Sequence, residues 1–371
     1  MRVRLVFLIV FCIGSLVSIG FACEPASTGN VCVNVNSLES FTSIQGAIDD
    51  PDTLAGHLLV VVSNTCIHET VTVNKAVHIW GERINQKPVV DGRAAGSVFD
   101  ITVDGVIIEG LVIENNCSVG GNLYPGILVQ SNDNIIRCNE FKNCFKGVYL
   151  YFDTSGNTVH DNDIHSLCGS SYGIMAAGSD NNKIYSNTIT GNDLQGTGIL
   201  LVGSSYNTVI NNTVSDFNYG VFLYSGADYN NIHHNNFLSN TNNAYIENQG
   251  TPCVGNGWDN GSNSGGNYWS DYSGSGCYTI PGGITDQDCY PLPAQFQPMC
   301  GNIDGSPDYV IDISDIAYLN SYLLYGGPMP IPPCMADVDG DGDVDTDDSQ
   351  YLIDYMFNQG PAPACRSNCC Q

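Results

Sequence analysis

Positive charge is scarce in this chain. Its 371 residues hold 11 lysines and arginines against 38 aspartates and glutamates, a formal net charge of -27. Nucleic-acid binding draws on clustered basic side chains, so the composition excludes that class of partner. The same deficit argues against a polyanionic sugar unless a cation bridges the two. Long apolar runs are also few. One stands at the N-terminus, "MRVRLVFLIVFCIGSLVSIGFA", where Arg2 and Arg4 precede an apolar core that ends near Gly20 and Ala22. That is the plan of a secretory signal peptide over residues 1–22, with an uncleaved anchor as the alternative. No second run follows, so the mature chain is expected to have no membrane span and to be secreted, extracellular or on a bacterial cell surface.

Cysteine, by contrast, is plentiful. Sixteen cysteines fit an oxidising compartment. Cys12 leaves with the signal, and fifteen remain, so one stays free, pairs between chains or is modified. Cys23 follows the cleavage point, but "GFAC" fits a lipoprotein signal poorly, with Gly20 and Phe21 in place of small and aliphatic residues.

The middle of the chain repeats itself. N-x-[IV]-x-x-N occurs as "NIIRCN" from Asn134, "NTVHDN" from Asn157, "NKIYSN" from Asn182, "NTVINN" from Asn207 and "NNIHHN" from Asn230. Between them run "GILV" at Gly126, "GVYL" at Gly147, "GIMA" at Gly173, "GILL" at Gly198, "GVFL" at Gly220 and a degenerate "NAYI" at Asn243. A fixed period of this length marks a solenoid. The β-branched runs are too short for helices, and Asn and Gly tolerate left-handed turns. Coiling stacks equivalent strands in parallel, buries one aliphatic side chain on the next and lines the asparagines into a ladder. The expected fold is an all-β right-handed parallel β-helix. "SIQGAID" from Ser43 reads as a capping helical turn at its N-terminal end.

With these motifs and the earlier "DGVIIEGLVIEN", residues 24 to about 250 resemble the pectate-lyase-like superfamily of carbohydrate-binding proteins and sugar hydrolases, in particular its NosD-type members. "GWDNGSNSGGNYWSDYSG" from Gly257 and "DCYPL" from Asp288 match the closing segment of those members. Trp258, Tyr268, Trp269 and Tyr272 are expected to cap the last coil. The resemblance implies a fold more firmly than an activity.

Strand alternation predicts two outward columns. Leu128, Tyr149, Met175, Leu200, Phe222 and Tyr245 form the first, with Tyr151 and Tyr224 two positions on. Tyr149, Tyr151, Phe222, Tyr224 and Tyr245 are the carbohydrate-binding candidates, because sugars stack their C–H faces on rings; cover by loops is the alternative. Arg137, His160, Tyr185, Ile210 and His233 form the second column. Arg137, His160 and His233, with Asp161 and Asp163, are the candidates for acid–base sugar cleavage. The superfamily's paired aspartates with Arg-Ile-Lys, and its calcium-ligating acids with a basic residue, are not found, and the catalytic residues stay unassigned. The NosD resemblance also raises copper, which favours clustered His, Met or Cys. His233-His234 is the one adjacent histidine pair, which makes copper the weaker reading.

The tail carries a different signal. In "DVDGDGDVDTDD", Asp337, Asp339 and Asp341 fill positions 1, 3 and 5 of a twelve-residue loop, Gly342 fills position 6 and Asp348 position 12. This is calcium-loop spacing, with Asp343 offering its carbonyl and Asp345 a ligand directly or through water. "DIAYLNSYLLYGGPMP" from Asp315 matches "DSQYLIDYMFNQGPAP" from Asp348 at an offset of 33. Prolines before each loop forbid an entering helix, so each unit is a loop followed by a helix. That duplicate resembles a type I dockerin, which implies Ca2+ and a cohesin-domain partner. The first loop, "NIDGSPDYVIDISD", departs from the pattern; Asn302, Asp304, Asp308, Asp312 and Asp315 are its candidate ligands. Ile313, Ser314, Thr346 and Asp347 occupy the positions that read the cohesin in related dockerins.

The expected organisation is therefore a signal peptide at 1–22, a β-helix at 23–290, a linker at 291–299 and a dockerin at 300–371. Such a chain binds or degrades polysaccharide at a cohesin-bearing surface. The alternative is a non-catalytic adhesion or structural β-helix, and a periplasmic copper accessory is a third reading.

Overall fold

The computed structural model describes residues 29–83, 86–115, 123–165, 167–192, 194–248, 250–262, 264–297, 299–304, 311–327, 330 and 333–365. The expected signal peptide, Cys23 and Asp308 lie outside the described residues. Three sheets of ten, nine and eight strands make the sides of a right-handed parallel β-helix. Pairing within them is parallel except at the N-terminal end, where Cys32–Asn34 runs antiparallel to Glu39–Phe41 and Leu58–Val61. Helix α1 (Ile44–Asp49) closes that end, burying Ile44, Ala47 and Ile48. The Ser43 hydroxyl accepts from Gly46 N–H, and the Glu69 carboxylate accepts from Ile44 and Gln45. These bonds satisfy donors that a short helix leaves open.

Two asparagine ladders run through the turns. Asn134, Asn157, Asn182, Asn207, Asn230 and Asn256 form one, and Asn139, Asn162, Asn187, Asn212, Asn235 and Asn267 the other. In most rungs the side-chain amide donates to the carboxamide oxygen one coil on, at about 3 Å. The left-handed backbone falls one residue earlier than the sequence motif suggests. Cys138, Asp161, Ser186, Asn211 and His234, each just before a ladder asparagine, have φ between 52° and 58°. The ladder asparagines are therefore chosen for their side-chain bonds, which satisfy buried backbone at the corners.

The motif glycines serve close approach. A Cβ at Gly173 would lie 2.4 Å from Ile189 Cγ2 and 2.6 Å from the Gly198 carbonyl oxygen, so each coil turns inward against the next. The C-terminal end is closed as the motif predicts. Trp258 and Trp269 are buried, and Trp269 stacks on Phe237 at 4.8 Å and on Tyr278 at 4.3 Å. Buried Asp288 ends one ladder by accepting from Asn267 N–H and Trp269 Nε1–H at 2.7 and 2.8 Å. The chain stays on the coil as far as Phe296, whose backbone exchanges hydrogen bonds with the Asn236 side chain.

The C-terminal region packs helices α2 (Ile313–Tyr325) and α3 (Thr346–Phe357) around Ile303, Ile316, Leu319, Ala336, Val338 and Leu352. Both helices begin with a capping box, Asp312 with Asp315 and Asp345 with Asp348, as the 33-residue duplication requires. A Cys300–Cys365 disulfide ties the ends of this small core together. Cys277–Cys289 is a second bridge, and Cys66, Cys138, Cys168 and Cys334 are also disulfide-bonded. Among the described residues Cys32, Cys144 and Cys253 are free and buried. No helix of the described residues is long and apolar enough to cross a membrane.

Candidate functional site

The first outward column forms in full register. Leu128, Tyr149, Met175, Leu200, Phe222 and Tyr245 are consecutive partners on the eight-stranded sheet. Leu200 is buried, Tyr149, Phe222 and Tyr245 are half-buried, and Tyr151 and Tyr224 are 40% exposed. Rings meet in two groups. Tyr149 packs edge-on to Tyr151, and Tyr151 to Phe152, at 5.4 and 5.1 Å. Phe222 lies 5.5 Å from Tyr245 and 4.9 Å from Tyr219.

Sequence reasoning missed a neighbouring column on the same sheet. Lys146, Tyr172, Thr197, Tyr219 and Asn242 also pair in register. The signal lay in the residue just before each motif glycine. The Lys146 ammonium sits 4.8 Å over Phe145 and 5.3 Å over Tyr149, and donates to the Leu123 carbonyl. Burial lowers its pKa, and no carboxylate forms a salt bridge with it among the described residues.

The second column also forms in register, from Arg137 through His160, Tyr185 and Ile210 to His233 on the ten-stranded sheet. Its expected exposure does not hold. His160 is 7% and His233 8% exposed, because stacked coils bring large rings onto one another. His160 and Tyr185 stack at 4.6 Å. Arg137 pairs with Glu109 one coil earlier, and Glu109 also bonds His78, which together hold its carboxyl down at about 2 against burial. His160 Nδ1 lies 2.6 Å from Asp161, whereas exposed Asp163 starts a strand of the nine-stranded sheet. His233 lies 2.7 Å from His234, and burial, aided by that neighbour, pushes His233 down to about 3. The five acid–base candidates thus divide between two sheets, with Arg137, His160 and His233 on one and Asp163 on the other, and the turn that holds Asp161.

A third cluster of donors comprises Cys66, His68 and Asp91, but Cys66 is disulfide-bonded and has no thiolate to offer.

The acidic tail gathers as the spacing demands. Ligand oxygens of Asp337, Asp339 and Asp348 lie within 4.8 Å of one another. Gly342 takes φ 106° at the sharp turn. Asp341 N–H donates to Asp339, Asp343 N–H to Asp341, and Asp347 N–H to Asp345, winding the loop inward. Buried Asp348 accepts from Val338 and Asp345, and burial lifts its pKa to about 6. In the first loop Asp315 accepts from Ile303, Asp304 and Asp312 and is likewise pushed up to about 6, chiefly by burial. Ser314 Oγ–H donates to Asp304 at 2.6 Å, Asn302 opens the loop, and Asp312 caps the start of α2. All-oxygen donors and buried carboxylates that resist ionisation without a cation suit a hard dication. Ile313, Ser314, Thr346 and Asp347 are exposed at the starts of their helices.

Comparison with known proteins adds to this geometry. The type I dockerin domain profile matches residues 304–357; such domains typically bind calcium, imply a cohesin partner and suggest an extracellular or cell-surface location. No curated protein matches. Among solved structures, the crystal structure of a mutant of the periplasmic alginate epimerase AlgG is similar over 63% of this chain and 72% of its own, at 13% identity and a TM-score of 0.24. The family profile described as periplasmic copper-binding protein (NosD) matches residues 60–274. The chain accordingly belongs to the NosD family and carries a type I dockerin after its β-helix.

Proposed function

We propose that this protein is exported, binds polysaccharide on the aromatic face of its β-helix, and is held by a calcium-dependent dockerin on a cohesin-bearing partner. The observation that carries the reading is the register of Tyr149, Phe222 and Tyr245 with exposed Tyr151 and Tyr224 beside them. Rings in such an array offer flat apolar surface at little conformational cost, which suits the C–H faces of sugars. In the dockerin, Asp337, Asp339, Asp341, Asp343, Asp345 and Asp348 would hold one calcium ion, and Asn302, Asp304, Asp308, Asp312 and Asp315 a second. The metal supplies the charge that lets buried carboxylates ionise. Residues 291–299 contain the boundary between the two functions, which falls after Phe296, where the chain is still bonded to the coil.

Binding is favoured over cleavage because His160 and His233 are buried and Asp163 stands on another sheet. Copper delivery, which the family description raises, is the weaker reading. His233 and His234 bond to each other, and Met175 lies on a different sheet. The test is co-sedimentation of the full chain with insoluble polysaccharides. Phe222→Ala with Tyr224→Ala is expected to cut binding at least about tenfold, the equivalent of one lost ring contact. No sedimentation of the native chain with any polysaccharide would instead favour the β-helix as a structural spacer, and unchanged binding by that variant would move the sugar off this face.

A further inference from the structure

The aromatic face is divided. Rings cluster around Tyr149 and Tyr151 at one place and around Phe222, Tyr224 and Tyr245 at another. Between them lie the strands Tyr172–Ala177 and Thr197–Val202, whose outward positions in the same columns are Met175, Leu200, Ala177 and Val202. The floor there is apolar, with Met175 and Val202 half-buried and Leu200 and Ala177 buried, and the ring those two strands carry is Tyr172 of the neighbouring column, set edge-on to Phe145 at 5.8 Å beside the first cluster. Tyr149 and Phe222 are three strands apart, so the two platforms are separated by about 14 Å along the helix axis.

Charge on this face is equally uneven. Asp100 flanks Leu128 at one end, bonded to Gln130, and Glu247 flanks Tyr224 at the other. Lys146 is the cation on the face, and it is already committed to the Leu123 carbonyl and the Phe145 and Tyr149 rings. In a chain of net charge -27, carboxylates at both ends disfavour a polyanion.

Resting on the glycan-binding reading above, we propose that this face takes a neutral, extended chain of at least four pyranoses laid along the helix axis, stacked at both platforms. A pyranose in an extended chain advances by about one strand spacing, about 5 Å, so its first and fourth rings fall on the two clusters. The sugars between pass over Met175 and Val202, the half-buried positions of the aliphatic floor. Equatorially substituted pyranoses, as in β-1,4-linked glucose or xylose, suit it because their hydroxyls lie at the rim and their faces present C–H groups.

The test is calorimetric titration of the full chain with cello- and xylo-oligosaccharides from dimer to hexamer, and with oligogalacturonides of the same lengths. Affinity is expected to rise at least about tenfold from trimer to tetramer and then level off. Tyr149→Ala and Phe222→Ala should each remove that step while leaving trimer binding in place, and Tyr149→Phe, which keeps the ring, should retain it. Equal affinity from dimer to hexamer, or galacturonides bound as tightly as neutral sugars, would overturn the inference and leave the glycan-binding reading standing. Binding of no saccharide at all would overturn both.

Discussion

Chelating calcium is expected to unfold the dockerin helices and reduce cohesin binding at least about a hundredfold, while the β-helix melts as before. Among the described residues the dockerin core has six buried apolar or small side chains, with partly buried ones such as Tyr318, Tyr322 and Met356 packed against them, a small core for two short helices to share. Against it stand Asp337, Asp339 and Asp348, gathered within 4.8 Å of one another, and the Asp304–Asp315 pair of the first loop. Burial above all, with the neighbouring charge of Asp304 and Asp339 respectively, pushes the Asp315 and Asp348 carboxyls up to about 6. On the proposed reading, cation binding is part of the folding free energy of the domain. Amide exchange read separately over α2, α3 and the β-helix strands checks this. Helices that stay protected in EDTA would show that the disulfide and core suffice. Asp337→Ala should reproduce the loss for the second loop.

Breaking the asparagine ladder at its centre should destabilise the β-helix by about 4 kcal/mol, the cost of several buried polar groups left unpaired at once. Asn187 is the residue to change. Its amide donates to the carbonyls of Val159 and Tyr185 and to Asn212 Oδ1, at 2.9, 3.0 and 3.0 Å. Its own oxygen accepts from the backbone and side chain of Asn162. Alanine there removes all five of these bonds, taking a donor from the Val159 and Tyr185 carbonyls and from Asn212 Oδ1 and the side-chain acceptor from Asn162 N–H, in a buried turn. Thr188→Ala, on the exposed face one residue away, is expected to cost less than about 0.5 kcal/mol. Chemical denaturation of both variants measures the difference. An Asn187→Ala protein as stable as Thr188→Ala would mean that solvent or a local shift satisfies the ladder.

Much of this architecture is legible in the primary structure. The six-membered column from Leu128 to Tyr245 follows from the glycine motif, since one fixed residue per coil sets the register of the rest. The loop–helix duplication is equally plain, because its ligand spacing is local. Burial of the second column is not legible. That His160 disappears under Tyr185, and that Arg137 turns to Glu109, depends on ring size and on partners a whole coil away. The residue before each glycine looks unpatterned until the strands stack and place Lys146, Tyr172 and Tyr219 in one line. The left-handed position likewise carries Cys, Asp, Ser, Asn and His in successive coils, with no residue type to betray it.

Whether the β-helix binds sugar decides the function of the protein most directly. The deciding measurement is a glycan array of the full chain, with and without calcium, run beside a Tyr149→Ala Phe222→Ala double variant. Retention of neutral polysaccharides by the native chain in both conditions, lost in the double variant, is the predicted result. Silence across the array, or equal signals from the native chain and the variant, would contradict it.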